Sequence, residues 1–200
     1  SQQYLAQGPR LRVEDYLLLE ENDTTIYAVI ADGMGSHPNG DLAAEFAINL
    51  ISKELNQTDQ YFEQVFWEID AELEQFFDRR GTTLILVVID KRTNQVFWAS
   101  VGDSYIFDID TYCKRVNPLD ETSYGALTQC LGGGYGGDLK KVHTGVFEFK
   151  TGVLLISDGA YSEYLQTNEF KYDPEYCMKL CLSQSQQNED NATAILITRS

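Results

Sequence analysis

The run of apolar and aromatic residues at 26–30, which leads into Asp32, constrains the fold more than any other feature of the chain. A similar run at 16–19 precedes it across a polar turn, and the two predict a hairpin of strongly buried strands. The second strand therefore ends at a carboxylate. An Asp-Gly step is common in ordinary turns, but two later strand ends are also acidic, at Asp158 and Asp190. Three carboxylates at strand ends predict a site for a hard cation.

After the hairpin, the apolar residues recur at helical spacing, which predicts two amphipathic helices, over residues 43–55 and 62–77. From Thr82 onward, short β-branched or aromatic runs separated by turns predict antiparallel strands. These strands are expected at residues 84–89, 96–101, 105–109, 145–149, 153–156 and 193–197. A late helix is predicted to start at Pro174, with Asp173 as its N-cap. The order of elements indicates an α+β fold, an α-β-β-α sandwich of two antiparallel sheets flanked by helices.

Composition narrows the class of protein. The chain has 200 residues, 43% of them hydrophobic, which is enough for one domain with a sizeable core. A formal charge of −16 argues against nucleic acid or an anionic membrane surface as the main partner. Because no apolar run reaches the roughly 18 residues of a membrane span and no signal-peptide pattern opens the chain, we expect a soluble, cytoplasmic protein. The four cysteines lack zinc-site spacing and are expected to be free thiols.

The least regular stretch is 110–143, which contains the glycine run 132–137. A dinucleotide-binding loop needs a strand before its glycines and a helix after them, and the residues that follow promise no helix. We therefore expect a mobile loop near the site. His143 belongs to no motif and is expected to be an exposed loop residue.

Six short motifs occur in the order seen in the metal-dependent 2C-type Ser/Thr protein phosphatases (the PPM family), and through them the chain resembles that family from Arg10 to Ile197. The motifs are Arg10-Leu11-Arg12-Val13-Glu14-Asp15, Asp32-Gly33-Met34-Gly35-Ser36-His37, Gly81-Thr82-Thr83, Gly102-Asp103-Ser104, Ser157-Asp158-Gly159 and Asp190-Asn191-Ala192-Thr193. Met34 stands where the eukaryotic branch typically has His, so the chain looks more like the bacterial branch.

The resemblance implies a metal-dependent enzyme. The family fold is a pair of antiparallel sheets between helix pairs, and the family reaction is hydrolysis of phosphoserine and phosphothreonine by a water that bridges two Mn²⁺ or Mg²⁺ ions. The implied ligands are Asp32 as the bridge, the Gly33 carbonyl, Asp158 and Asp190, with Glu14 and Asp15 close by through water and Asp103 at a third, weaker ion. All of these are oxygen donors, which suit hard divalent cations and not zinc.

The resemblance also assigns the phosphate and proton chemistry. Arg10 matches the family's phosphate-binding arginine, and its planar fork suits bidentate contact with phosphate oxygens; Arg12 is its rival. Met34 cannot donate a proton, so the leaving oxygen is protonated by His37, by a metal-bound water or by bulk solvent. His37 has a suitable pKa, but a loop histidine beside Pro38 is equally plausible as a structural residue. Asp103 has a structural alternative as well, as the cap of a turn.

The chain departs from the family pattern in length. The segment between Asp103 and Ser157 is short, which leaves little room in 110–143 for the flap that borders the family's active site, and the segment between Asp158 and Asp190 is short too. We expect residues 1–200 to form a single, monomeric catalytic domain with an open site. We expect this domain to act on phosphorylated proteins and to be paired with a cognate Ser/Thr kinase. The alternative is a weakly active or inactive phosphatase-like module that binds a phosphorylated partner for regulation.

Overall fold

The computed structural model describes residues 1–10, 12–34, 40–54, 62–76, 81–133, 137–166, 173–185 and 190–199. Within these ranges the strands are β1 (Gln2–Ala6), β2 (Asp15–Glu21), β3 (Thr25–Asp32), β4 (Leu84–Asp90), β5 (Gln95–Val101), β6 (Tyr105–Ile109), β7 (Cys113–Arg115), β8 (His143–Glu148), β9 (Gly152–Ile156) and β10 (Ala192–Thr198). The α-helices are α1 (Gly40–Glu54), α2 (Phe62–Phe76) and α3 (Pro174–Ser185), and short 3-10 helices follow β9 at Asp158–Ala160 and Glu163–Gln166.

The strands form two antiparallel sheets of five strands each among the described residues. Sheet I has the order β1-β10-β9-β6-β7, and sheet II has the order β2-β3-β4-β5-β8. The predicted hairpin is β2 and β3, in a register that sets Asp15 directly opposite Asp32. The first and last described strands, β1 and β10, are neighbours in sheet I.

Three apolar layers hold the sheets and helices together. The amphipathic faces of α1 and α2 pack on the outer face of sheet II, around buried residues such as Phe66 and Leu86. The face of α3 that carries Cys177 and Cys181 packs on the outer face of sheet I. A third cluster, which includes Ile30 and Leu155, fills the space between the two sheets. The predicted α-β-β-α sandwich is confirmed.

Strand alternation decides where the acidic residues point. Ile26, Ala28 and Ile30 belong to the cluster between the sheets, whereas Val29 and Ala31 face the helices. Because side chains alternate along a strand, Asp32 continues the inward series at the point where β3 ends. The apolar layer between the sheets therefore gives way to carboxylates at this end.

The structure corrects several details. Two short strands, β1 and β7, were not predicted, and β7 lies inside the stretch that we expected to be irregular. The prediction for His143 was wrong, since it begins β8 and its side chain is only 16% exposed. The four cysteines are free and buried, as expected. No helix in the described part of the chain has the length and apolar character needed to cross a membrane.

Candidate metal and phosphate site

Five aspartates from distant parts of the chain meet at the end of the sandwich where β3 stops. They border a pocket of about 140 Å³ or lie directly behind it. The pocket is lined by Asp32, Gly33, Met34, Thr83, Asp103, Leu127, Asp158 and Asp190, and Asp15 lies buried beside Asp32. The structure thus brings together the three strand-end carboxylates and Asp103, as the sequence predicted.

Asp32 is held by the backbone of the segment before β4. Its N–H donates to Thr83 Oγ1 at 3.3 Å, and its carbonyl accepts from Thr83 N and Thr82 Oγ1 at 2.9 Å each. Burial, reinforced by the surrounding carboxylates of Asp15 and Asp158, raises the pKa of Asp32 well above its ordinary value. A site that concentrates negative charge in this way favours binding of a cation, which would relieve the repulsion.

Asp15 lies in a cradle of hydroxyl groups supplied by sheet I. Its Oδ2 accepts hydrogen bonds from Ser157 Oγ at 2.9 Å and from Thr193 Oγ1 at 2.7 Å. Its Oδ1 is buried and accepts no hydrogen bond from a hydroxyl or amide among the described residues, although the Asp15 carboxyl also contacts that of Asp32. Burial raises the pKa of Asp15 to about 6, and the two hydroxyl donors oppose that rise. A buried carboxylate oxygen without a donor is costly, and a cation or a cation-bound water at the site would compensate for it.

Asp158 and Asp190 are brought side by side by a tight contact between their loops. A Cβ added at Gly159 would lie 1.8 Å from the Asn191 carbonyl oxygen, so only glycine allows this approach. Asp158 opens towards solvent at the mouth of the pocket. Nevertheless the surrounding protein, followed by the neighbouring charge of Asp190, raises the pKa of the Asp158 carboxyl.

Asn191 ties the segment that precedes β2 to this pair of aspartates. Its Oδ1 accepts from Glu14 N at 2.7 Å, and its Nδ2 donates to the carbonyls of Gln7 at 2.7 Å and Arg12 at 3.1 Å. The amide is buried, so all three contacts are protected from water. One side chain thereby fixes the position of the segment that carries Arg10.

Arg10 forms an ion pair with Asp190, and both side chains are a little over one-third exposed. Partial burial lowers the pKa of Arg10, but Asp190, Glu14 and Asp32 outweigh it and the net shift is upwards, so the guanidinium is fully charged. Arg12, the rival, is 66% exposed and lies 3.7 Å from Asp41. The structure therefore places Arg10, and not Arg12, at the acidic pocket.

Of the remaining predicted residues, Gly33 and Glu14 are described by the structure and His37 is not. Gly33 lines the pocket, and a Cβ there would lie 2.3 Å from the Gly40 carbonyl oxygen, so the position requires glycine. Glu14 is half-buried, and its pKa is raised by burial although Arg10 opposes the rise. His37 lies outside the described residues. Its neighbour Met34 is described, and its sulfur lies 3.6 Å from the buried Cys130 thiol.

Asp103 occupies a turn whose geometry demands glycine. Gly102 has φ +102°, and a Cβ there would lie 2.6 Å from two carbons of Thr83. Thr83 Oγ1 in turn lies 3.1 Å from Ser104 Oγ, so one residue contacts both the Asp32 strand and the Asp103 turn. Burial, followed by the charge of Asp158, raises the pKa of Asp103 to about 7.

The donor set fits hard divalent cations. Every side chain at the site that could bind an ion offers carboxylate oxygen, which Mg²⁺ and Mn²⁺ prefer. The raised pKa values of the crowded Asp32 and Asp103 carboxyls point to missing positive charge. Among the described residues, no three acidic, His or Cys side chains stand in a ready-made coordination arrangement, and Asp32 instead contacts the carboxyls of Asp15 and Asp158. Cation binding therefore requires these side chains to move apart.

Several residues at the site were not assigned a role from the sequence. Ser157, Thr193 and Asn191 stand in quoted motifs, but only the sheet register shows that they support Asp15 and Glu14. Leu127 lies in the stretch that was expected to be irregular, and no sequence motif marks it as a site residue. Thr83, next to a predicted strand, is found by its contacts with Asp32 and Ser104.

Comparison with known proteins gives both sequence relatives and structural neighbours. The serine/threonine phosphatase stp of Listeria welshimeri is 31% identical over 102 residues, which cover 44% of this chain and 40% of the relative. A putative protein phosphatase of Mycoplasma pneumoniae is 28% identical over 124 residues, 52% of this chain and 47% of the relative. The chain thus spans less than half of the length of the curated relatives that it matches.

Among solved structures, serine/threonine phosphatase Stp1 from Staphylococcus aureus superposes with a TM-score of 0.80 at 20% identity, covering 100% of this chain and 94% of that one. At this identity the likeness establishes the fold. The sequence model of the protein phosphatase 2C family matches residues 10–194, a span that contains the five aspartates and Arg10. On that match, the chain belongs to the protein phosphatase 2C family.

Proposed function

We propose that this chain hydrolyses phosphoserine and phosphothreonine esters on proteins, with two Mn²⁺ or Mg²⁺ ions held at the five-aspartate pocket. The observation that carries the proposal is the pairing of Arg10 with Asp190 at the edge of a pocket lined by Asp32, Asp103 and Asp158. A site that only binds cations needs no arginine, whereas a site that binds and hydrolyses a phosphate monoester uses both the cations and an arginine. The family match and the relatives named as serine/threonine phosphatases support the same reaction.

The residues suited to hold the ions are those that offer carboxylate or carbonyl oxygens at the pocket. Asp32 lies between Asp15 and Asp158 and would hold both ions, and Asp158, Asp190 and Gly33, which line the same pocket, would supply further oxygen ligands. Glu14 and Asp15 lie one layer further back, and Asp103 suits a third, weaker ion. Bound divalent ions of this kind supply a water of lowered pKa and stabilise charge on phosphoryl oxygens.

Arg10 is the group that binds the substrate phosphate. Its guanidinium is charged and about one-third exposed, and its ion pair with Asp190 holds it against the pocket. Two parallel N–H donors suit two phosphate oxygens. In hydrolysis the water oxygen bonds to phosphorus, the ester P–O bond breaks, and the seryl or threonyl oxygen leaves with a proton. The donor of that proton is left open, because Met34 has none to give and His37 lies outside the described residues.

The short irregular stretch supports an open site. Residues 121–127 form a tight turn closed by a bridge between Glu121 and Leu127, and Leu127 lines the pocket. We infer that this turn takes the place of a larger flap in one catalytic domain spanning residues 1–200. An open rim suits extended phosphopeptide substrates, and a cytoplasmic Ser/Thr kinase is the expected source of them.

The test compares purified wild type with Asp32→Ala in hydrolysis of p-nitrophenyl phosphate and of a phosphothreonine peptide, with and without Mn²⁺. We expect Mn²⁺-dependent turnover by the wild type and a loss on the order of 10²- to 10³-fold in the variant, since it removes a carboxylate that would hold the ions and with it their electrostatic stabilisation of the reacting phosphoryl group. Circular dichroism checks that the variant is folded. A wild type that is inactive when loaded with Mn²⁺, yet binds a phosphopeptide tightly, would instead establish the regulatory alternative.

A further inference from the structure

A buried acid–histidine pair lies directly behind the turn that carries Asp103, and neither residue belongs to the motifs discussed above. Asp120 Oδ1 lies 2.8 Å from His143 Nε2, with the two side chains 11% and 16% exposed respectively. Asp120 follows the 3-residue strand β7 by a few residues, and His143 begins β8 at the edge of sheet II. The pair therefore connects the irregular stretch to the sheet.

The other oxygen of Asp120 holds the turn itself. Asp120 Oδ2 accepts a hydrogen bond from Gly102 N at 2.9 Å, and the Asp120 N–H donates to the Gly102 carbonyl at 2.9 Å. Gly102 is thus bound on both its peptide groups by a single residue. Because Gly102 has a positive φ that few residues adopt, these two hydrogen bonds help to select the backbone conformation that directs the next residue, Asp103.

Asp120 also anchors the turn that contributes Leu127 to the lining of the pocket. Its carbonyl accepts from Thr128 N at 2.7 Å, next to the pocket residue Leu127. The far side of the Asp103 turn is held independently by the buried Asn117, whose amide donates to the Ser104 carbonyl at 2.9 Å. Asp103 is therefore clamped between two anchors, of which only Asp120 also reaches the neighbouring pocket wall.

We propose that Asp120, supported by His143, is a positioning residue that presents the Asp103 carboxylate to the cation pocket. Partners behind a ligand commonly fix its orientation, and their removal weakens metal binding about 10- to 100-fold. This inference rests on the proposed function, since it concerns the weakest of the divalent cation sites. It assigns a role to two residues that the family motifs leave without one.

The alternative explanation is charge alone, because Asp120 is also one of the negative charges near Asp103. Two substitutions separate the explanations. Asp120→Asn removes the charge but keeps an oxygen that can accept from Gly102 N, and its NH₂ can donate to the other tautomer of His143. Asp120→Ala removes the charge and the acceptor together. If Asp120 positions Asp103, Asp120→Ala should bind Mn²⁺ much more weakly than Asp120→Asn. If only the charge of Asp120 matters, the two variants should bind Mn²⁺ with equal affinity.

The experiment titrates Mn²⁺ into metal-free protein and measures binding by calorimetry and by the electron paramagnetic resonance of free Mn²⁺. We expect Asp120→Ala to weaken the weakest class of sites about 10-fold or more, as Asp103→Asn does, with the double variant no worse than Asp103→Asn. Asp120→Asn should stay within about 3-fold of wild type. The control is Asp110→Asn, which removes one charge at an exposed ion pair with Lys150 and should leave all sites unchanged.

Variants of the histidine keep the inference testable if Asp120→Ala does not fold. His143→Gln retains a donor for Asp120 and should bind Mn²⁺ like wild type, whereas His143→Leu should weaken the same class of sites. Equal binding by Asn and Ala at position 120, or additive losses with Asp103→Asn, would overturn the inference. A wild type that binds no Mn²⁺ would overturn the proposed function as well, but a wild type that binds and hydrolyses, with unchanged Asp120→Ala, would overturn only this inference.

Discussion

At the end of the sandwich where β3 stops, four aspartates line a pocket of about 140 Å³ and a fifth, Asp15, lies buried behind it. At the opposite end, where β3 begins, charges are paired at the surface: Lys91 Nζ lies 2.6 Å from both Glu21 Oε1 and the Asn22 carbonyl. That end also holds the larger cavity, about 440 Å³, with Ile26, Ile89 and Phe149 in its lining. The same strands therefore carry unbalanced charge at one end and balanced charge at the other.

This difference shows that the size of a cavity does not indicate which cavity is the candidate functional site. The larger cavity has a mixed apolar and polar lining, in which Lys91 and Glu21 form an ion pair. The smaller pocket contains carboxyl groups whose pKa values are raised by burial and by each other, which is the pattern expected of a functional site. In the absence of cations these groups destabilise the fold, so the pocket trades stability for binding.

Replacing one basic side chain at each end of the sandwich should give the largest difference in activity between two variants. We expect Arg10→Met to lower kcat/KM about 10- to 100-fold, since a hydrogen bond to a charged group is worth roughly 1.5–3 kcal/mol. The matched variant Lys91→Met should leave kcat/KM within about 2-fold and cost at most about 1 kcal/mol of stability. Steady-state kinetics measures kcat/KM for the two variants, and thermal unfolding measures their stability. Equal kinetic losses in the two variants would show that Arg10 acts only through net charge.

Cation binding should stabilise the acidic end selectively. At a Mn²⁺ concentration 100 times the dissociation constant, linkage predicts about 2.7 kcal/mol of added stability for one site, or roughly 5–10 °C in Tm for a chain of this size. Differential scanning calorimetry of wild type and Asp32→Asn tests this. The shift should vanish in Asp32→Asn and persist in Lys91→Met; a shift that survives in Asp32→Asn would place the ions elsewhere.

The stability of metal-free protein should fall as pH rises, contrary to the usual behaviour of acidic side chains. The pKa values of Asp15 and Asp103 are raised to about 6 and about 7, so between pH 4 and 7 the folded state binds more protons than the unfolded state. The stabilisation is present below the unfolded pKa and is lost as pH passes through these folded values.

We expect metal-free protein to lose on the order of 2 kcal/mol between pH 5 and pH 7.5, since each unit of pKa shift is worth 1.36 kcal/mol before screening. Thermal unfolding at the two pH values measures the loss. Saturating Mn²⁺ should reduce it, because binding favours the ionised carboxyls. A metal-free protein that is more stable at pH 7.5 would show that the crowded carboxyls are relieved by rearrangement.

Sequence reasoning predicted the fold and the acidic residues that line the pocket, because both depend on short-range patterns. The β2–β3 hairpin, both amphipathic helices of sheet II and the acids at Asp32, Asp158 and Asp190 follow from periodicity and turn residues. The strands β1 and β7 were missed because they are short, and because β1 owes its conformation to pairing with β10.

What could not be predicted depends on contacts between distant segments. The Ser157 and Thr193 hydroxyls reach Asp15 only because the two sheets face each other. Likewise, Asp120 and His143 are 23 residues apart and meet only through the path of the irregular stretch. No local sequence pattern marks either arrangement, since each brings together segments that meet only in the folded chain.

The contacts of Asn191 have a consequence for the order of events during synthesis. This amide joins the segment around Arg12 across 179 residues of chain, and Arg10 meets Asp190 across 180. Closures of such length are slow steps in folding. While a ribosome is still making the chain, the ion pair between Arg10 and Asp190 cannot form until Asp190 has emerged, so the proposed phosphate site is among the last features of the described chain to be completed.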